Sequence, residues 1–209
     1  MKELLAPTLE NYKLSVTHLN NFIDVTRGGP QNFLLNNLLR FPQAKSANAI
    51  YGTLIHAVLQ HAHSHLAASG TRKPIEDITG EFIRLLHQQN LSDADLAFYS
   101  KRGIEALEAF LGAKYGTFTP SQKPELSFAG QGVVLGQARL TGSLDLVDID
   151  NQTITVTDYK TGKPSTSWTG KSDYEKIKLH KYRQQLMFYE LLCANSRDYA
   201  KYDFGSPSS

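Results

Sequence analysis

Cysteine is nearly missing from this sequence: Cys193 stands alone among 209 residues. A single thiol excludes an internal disulfide framework and any zinc or iron–sulfur centre built on several cysteines. Such a chain suits a reducing compartment, and a cytoplasmic location is expected. Long apolar runs are also lacking. Nothing approaches the roughly eighteen uninterrupted apolar residues of a membrane helix, and MKELLAPTLENYKL at the N-terminus has no continuous apolar segment after its first lysine. No membrane association is expected. The net charge is only +2 at pH 7, so bulk charge names no partner. Repeats are absent, and the one low-complexity stretch is the terminal Gly-Ser-Pro-Ser-Ser.

What is present is an ordinary globular composition, 41% hydrophobic and 20% charged, with length enough for one domain and its core. Residues 1–13 read as an extension, 14–200 as a single domain, and 201–209 as a disordered tail. Within the domain, 14–115 is mainly helical. Two short amphipathic segments around 16–26 and 31–40 are separated by Arg27-Gly28-Gly29-Pro30. Ile50, Leu54, Ile55, Val58, Leu59, Ala62 and Leu66 mark a helical stripe over 47–68. Further helices are expected over 75–88 and 92–113, the latter introduced by Ser92 with Asp95 three residues on. The period then changes: 120–195 reads as three or four strands between about 125 and 160, then a helix over 173–195. Helices, a sheet and a closing helix imply an α/β or α+β layer. Charge is concentrated where its total is not. Lys160, Lys163, Lys171, Lys176, Lys178, Lys181 and Arg183 face only Asp173 and Glu175 over the same stretch. That surplus attracts phosphates, or is simply a solvated helix face.

The most informative segment is GSLDLVDIDNQTITVTDYKTGK, residues 142–163. It reads as two strands joined at Asp150-Asn151. A two-residue loop there sets Ile149 opposite Gln152 and Asp145 opposite Val156, with Asp158 and Lys160 further along the same face. Asp145, Asp158 and Lys160 then converge beside Val147, Ile149, Ile154 and Val156. Two carboxylates meeting beside an apolar patch repel each other unless they share a cation. A hard divalent ion, Mg²⁺ or Mn²⁺, relieves that repulsion and suits phosphoryl chemistry. A neighbouring lysine stabilises charge building up on phosphorus oxygens. A bare D-x-K tripeptide is common and by itself reads as an ordinary surface hairpin; the facing GSLD changes that balance.

In order along the chain, Gly52-Thr53-Leu54-Ile55-His56, Gly142-Ser143-Leu144-Asp145, Asp158-Tyr159-Lys160 and Gln185-Leu186-Met187-Phe188-Tyr189 resemble the motifs of RecB-type nucleases of the PD-(D/E)XK superfamily. The nuclease domain at the C-terminus of UvrD-like helicases is especially similar, and the resemblance runs from about Leu14 through Pro30-Gln31-Asn32-Phe33 to about Cys193. It implies a restriction-endonuclease-like core, a small mixed sheet flanked by helices, with an N-terminal helical segment. It further implies His56, Asp145 and Asp158 as metal ligands, aided by the backbone carbonyl of Tyr159, and Lys160 as the catalytic lysine. Gln185 and Tyr189 would support the site and contact DNA; their spacing of four puts both on one helical face. Lys163, Lys181 and Arg183 are expected to contact substrate, and Glu125 resembles an acidic position of the family. Relatives with an iron–sulfur cluster carry four cysteines, the first where Gly29 stands here, so no cluster is expected. Thr169-Gly170-Lys171-Ser172 lacks the glycine of a phosphate-binding loop, Ser165 occupying its place, so no ATP site is expected either.

The function so implied is a Mg²⁺- or Mn²⁺-dependent deoxyribonuclease. It would act on single-stranded ends, with a helicase motor in the same or a partner chain, in recombination or repair. Two rivals stand beside it: a catalytically inactive DNA-binding or scaffolding module with the same fold, and an unrelated phosphohydrolase acting on small nucleotides. His56 alone reads as a satisfied helix histidine; what raises it is Gly52 one turn earlier, which permits close approach to the sheet. His61 and His65 have the spacing of a zinc pair, but they fall on the polar side of their helix and form no HExxH. Trp168, in a Ser/Thr/Gly-rich loop, reads equally as a base-stacking residue or a loop anchor.

Overall fold

The computed structural model describes residues 2–163, 165 and 167–205 of the chain. The N-terminal part is helical. Helix α1 spans Lys2–Glu10, a two-residue strand β1 covers Lys13–Leu14, and α2 covers Val16–Ile23. Ser15 caps α2, its side chain accepting from the His18 amide. Gly28, at φ +98°, turns the chain into α3, Gly29–Phe33. The expected helix over 31–40 does not run through as one α-helix. It opens into a π-helical turn over Leu34–Leu38, and Asn37 there accepts a hydrogen bond from Asn21.

Three long helices follow, α4 (Ala47–Ser69), α5 (Ile75–His87) and α6 (Asp93–Lys114). Ser46 and Ser92 cap α4 and α6 through the amides three residues on, and Gly70 ends α4 in the left-handed region. Their stripes meet in one core in which Tyr51, Phe82, Leu86, Leu107 and Leu111 are essentially solvent-free. Full burial of each such side chain contributes about 1.5–3 kcal/mol.

Five strands, rather than three or four, follow in sequence: β2 (Lys123–Ser127), β3 (Val134–Leu135), β4 (Ala138–Leu140), β5 (Ser143–Asp150) and β6 (Thr153–Thr157). The excess is β3 and β4, which with β1 make a small separate sheet in the order β1-β4-β3. Helix α7 spans Asp173–Ala194, and a last strand β7 covers Asp203–Phe204. The main sheet runs β2-β5-β6-β7, antiparallel except for the parallel β6–β7 pair. The expected disordered tail is therefore corrected at 203–204, where Phe204 pairs with Ile154. Residues 206–209 lie outside those described.

The main sheet is covered on both faces. Val147, Ile154 and Val156 pack on Phe188, Tyr189 and Leu192 of α7, while Tyr159, just past β6, packs into the α4–α6 core. This is the α/β core expected, with mixed sheets and flanking helices. Among the described residues, no helix is long and apolar enough to cross a membrane.

Candidate active site

The hairpin register differs from expectation by two residues. Asn151, at φ +51°, begins the loop, so Ile149 pairs with Ile154 and Val147 with Val156. A shift of two preserves the face of every side chain. Asp145 and Asp158 thereby occupy the next opposed position, one step beyond the Leu146–Thr157 pair. The chain then turns back over Asp145: the Tyr159 amide donates to Asp145 Oδ2 at 2.7 Å.

Asp145 is met from two further elements. His56 on α4 places Nδ1 3.3 Å from Asp145 Oδ2. Glu125 on β2 stands opposite Asp145, between the Pro124–Leu146 and Leu126–Leu144 pairs, and has left the ladder with φ +48°. A left-handed backbone at a non-glycine residue costs about 1–3 kcal/mol and persists where the surrounding structure imposes it. Ligand atoms of His56, Glu125 and Asp145 all lie within 4.8 Å of one another, and among the described residues this is the one cluster of its kind. The set is short of positive charge. Contact with the Asp145 carboxylate raises the His56 pKa against the effect of burial, and burial followed by Asp145 pushes the Glu125 carboxyl up. Two carboxylates and one imidazole drawn together without another cation are a donor set that fits a divalent metal ion.

Asp158 is treated differently. Only 9% of its side chain is exposed, and burial raises its pKa even though Lys160 opposes the shift. Lys160 forms an ion pair with Asp158 Oδ2 and donates to Gln185 Oε1 at 2.8 Å. Gln185 Nε2 and the Tyr189 hydroxyl donate to Asp158 Oδ1 at 2.9 and 3.0 Å. Every polar atom of this cluster is thus answered within the chain.

The structure therefore brings together His56, Glu125 and Asp145, and next to them Asp158, Lys160, Gln185 and Tyr189, with Tyr159 between the two groups. The Glu125 position comes from the positive φ, for which the sequence offered no sign. Lys181 is elsewhere: its ammonium pairs with Asp24 at 2.6 Å, tying α7 to the end of α2. Lys163 is exposed in the 158–172 connection, and Arg183 lies against Trp168. Gly52 does sit against the chain after Lys160, but a Cβ there would meet Thr161 Oγ1 at an ordinary 3.4 Å. His61 pairs with Glu81 at 2.7 Å, which removes it from any zinc pair with His65. Thr169-Gly170-Lys171-Ser172 leads into α7, where Ser172 is the N-cap and closes a capping box with Glu175.

Three supporting residues escaped the sequence reading. Tyr182 lies three residues before Gln185 and presents its ring 5.0 Å from the Lys160 ammonium; that spacing was a usable signal. His63, two turns after His56, is buried, stacks on Phe118 and shares a 2.9 Å hydrogen bond with the Tyr159 hydroxyl. Arg102 donates to the Thr161 carbonyl at 3.1 Å from α6, a contact nothing local announces.

Comparison with protein families gives a match over residues 13–206. The chain belongs to the PD-(D/E)XK nuclease superfamily. The acidic residue, any residue and lysine in that name are read directly in Asp158-Tyr159-Lys160, while Leu144 stands where the name has proline before aspartate. Comparison with proteins of characterised function finds no match.

Proposed function

We propose that this nuclease-family protein is a Mg²⁺- or Mn²⁺-dependent deoxyribonuclease. It would act on single-stranded DNA ends presented by a helicase motor, in recombination or repair. The observation that carries the reading is the His56–Glu125–Asp145 cluster, poor in positive charge, immediately beside the buried Asp158–Lys160 pair. His56, Asp145 and Asp158 would hold the ion with the Tyr159 carbonyl, and the closeness of Glu125 makes it a further ligand. When bound, the ion supplies Lewis acidity at the phosphoryl oxygen and acidifies attacking water.

The remaining tasks fall to the chain. Tyr159 N–H fixes the Asp145 carboxylate. Gln185 and Tyr189 fix Asp158 by donating to one oxygen, which leaves the other facing Lys160. The Gln185 carbonyl oxygen steadies the lysine from the side. Lys160 exchanges part of its contact with Asp158 for a phosphate oxygen, where its charge counts most as negative charge develops. The surplus of Lys and Arg over 160–183 supports a polymeric anion as substrate, and a motor in the same or a partner chain would supply the ends.

The test is digestion of end-labelled single- and double-stranded DNA with Mg²⁺, Mn²⁺ or EDTA, using wild type and Lys160→Ala. Metal-dependent cleavage reduced at least about 100-fold in the variant is expected. Cleavage that survives EDTA or the substitution refutes the assignment. Metal binding without cleavage would favour a DNA-binding module that has kept the fold.

A further inference from the structure

The connection between β6 and α7 carries the chain's single tryptophan. Trp168 is 42% exposed, so part of its ring is accessible to a ligand. With Tyr182 and Leu186 it bounds a cleft of about 270 Å³ that Asp158, Lys160, Gln185 and residues 155–157 also line. That is below the roughly 300–1,000 Å³ of pockets for drug-sized ligands, with room for a planar base.

Cations lie over both aromatic rings of the cleft, Lys160 from its lining and Arg183 and Lys178 from beside it. The Arg183 guanidinium lies 5.5 Å from the Trp168 ring and donates to the Trp168 carbonyl at 3.2 Å. The ammonium groups of Lys160 and Lys178 lie 5.0 and 5.5 Å from the Tyr182 ring. Trp168 does not hang on a free loop. A Cβ on Gly170 would sit 2.5 Å from the Lys176 backbone nitrogen, so the chain lies directly on the first turn of α7. Lys178 holds the other side of the connection through the Lys163 carbonyl at 2.6 Å. A preorganised aromatic face, flanked by cations and open toward Lys160, is the arrangement that binds an unpaired nucleotide, the ring taking the base and the cations its phosphates.

We propose that this cleft is a subsite for one unpaired nucleobase. Trp168 stacks on the base, and the adjoining phosphate is delivered to Lys160; that last placement rests on the nuclease reading above. Duplex DNA cannot use the subsite, because paired bases keep their faces stacked on one another. The cleft then gives a physical origin for preferring single strands.

Trp168 reports on itself, being the only tryptophan. A fluorescein-labelled oligothymidylate is mixed with the protein in EDTA and, separately, in Ca²⁺; Trp168 emission is read in the wild type, and the anisotropy of the label in the wild type and every variant. Saturable quenching is expected with the single strand, and little change with a blunt duplex of equal length. Trp168→Ala is expected to lose roughly tenfold in affinity for the oligothymidylate, and Trp168→Phe, which keeps a ring, two- to threefold. An abasic oligomer, with the phosphates but no bases, binds wild type and Trp168→Ala alike. Binding that leaves the emission unmoved, no binding in either condition, or equal losses for the abasic oligomer would overturn the subsite. Binding is read without cleavage, so the two readings fail separately. Stacking in a protein that cuts nothing with Mn²⁺ keeps the subsite and refutes the nuclease; cutting without stacking does the reverse.

Discussion

Asp145 and Asp158 occupy opposed positions on neighbouring strands, yet the two halves of the site handle a buried carboxylate in opposite ways. Asp158 has its own cation and two neutral donors, and is complete as it stands. Asp145 has an amide, a histidine and a second carboxylate brought in by a backbone held in an unfavourable conformation. One half is balanced from within. The other is built at a cost that an added cation would offset. On the proposed nuclease reading, the two halves placed side by side would divide the labour, with ion binding centred on Asp145 and charge stabilisation on Lys160.

The largest effect that sharpens this contrast is on cleavage. Asp145→Asn is expected to reduce it at least about 100-fold. His56→Ala should be milder and partly restored by raising Mn²⁺, because what it loses is ion affinity. Steady-state rates over a Mn²⁺ series separate the two, and full rescue of Asp145→Asn would break the division of labour.

The next effect concerns His63, which bonds the hydroxyl of Tyr159 between the halves. Burial lowers the His63 pKa to about 4, against about 6.5 for a free histidine. Below pH 6.5 the unfolded chain takes up a proton that the folded one refuses. Stability therefore falls as pH drops from about 6.5 to about 4, by a total of about 3 kcal/mol. Above 6.5 this histidine adds no pH dependence. Urea unfolding between pH 4 and 7 should show the loss in wild type and a flatter profile in His63→Gln.

Neutralising substitutions should have opposite signs in the two halves. Lys160→Ala strips the cation from a buried carboxylate, and about 1–2 kcal/mol of stability is expected to go, less than for a fully buried pair because the lysine is partly exposed. Glu125→Gly removes a like charge and frees a strained backbone position, so a gain of about 1 kcal/mol is expected without metal. Thermal unfolding of both proteins in EDTA checks the pair; shifts of the same sign would contradict the contrast.

Much of this was legible in the sequence, for reasons that separate by range. Serine caps and apolar stripes are local, so α4, α6 and α7 lie close to where the 47–68 stripe, Ser92 and the 173–195 pattern put them. The face shared by Asp145 and Asp158 survived an error in the loop, because a register shift of two leaves parity unchanged. What depends on distant contacts was not legible. Glu125 takes a positive φ where the ladder to β5 is interrupted, and Lys181 pairs with Asp24, 157 residues away. The tail gave no periodic pattern long enough to announce β7, since a two-residue strand exists only by pairing with β6.

Titration calorimetry of Mn²⁺ into the wild-type protein, Asp145→Ala and Lys160→Ala tests the central claim most directly. Binding near one ion per chain or above in the wild type, lost in Asp145→Ala and retained or tightened in Lys160→Ala, is the result expected. Equal binding by wild type and Asp145→Ala, or loss of binding in Lys160→Ala alone, would place the ion in the wrong half and contradict the account.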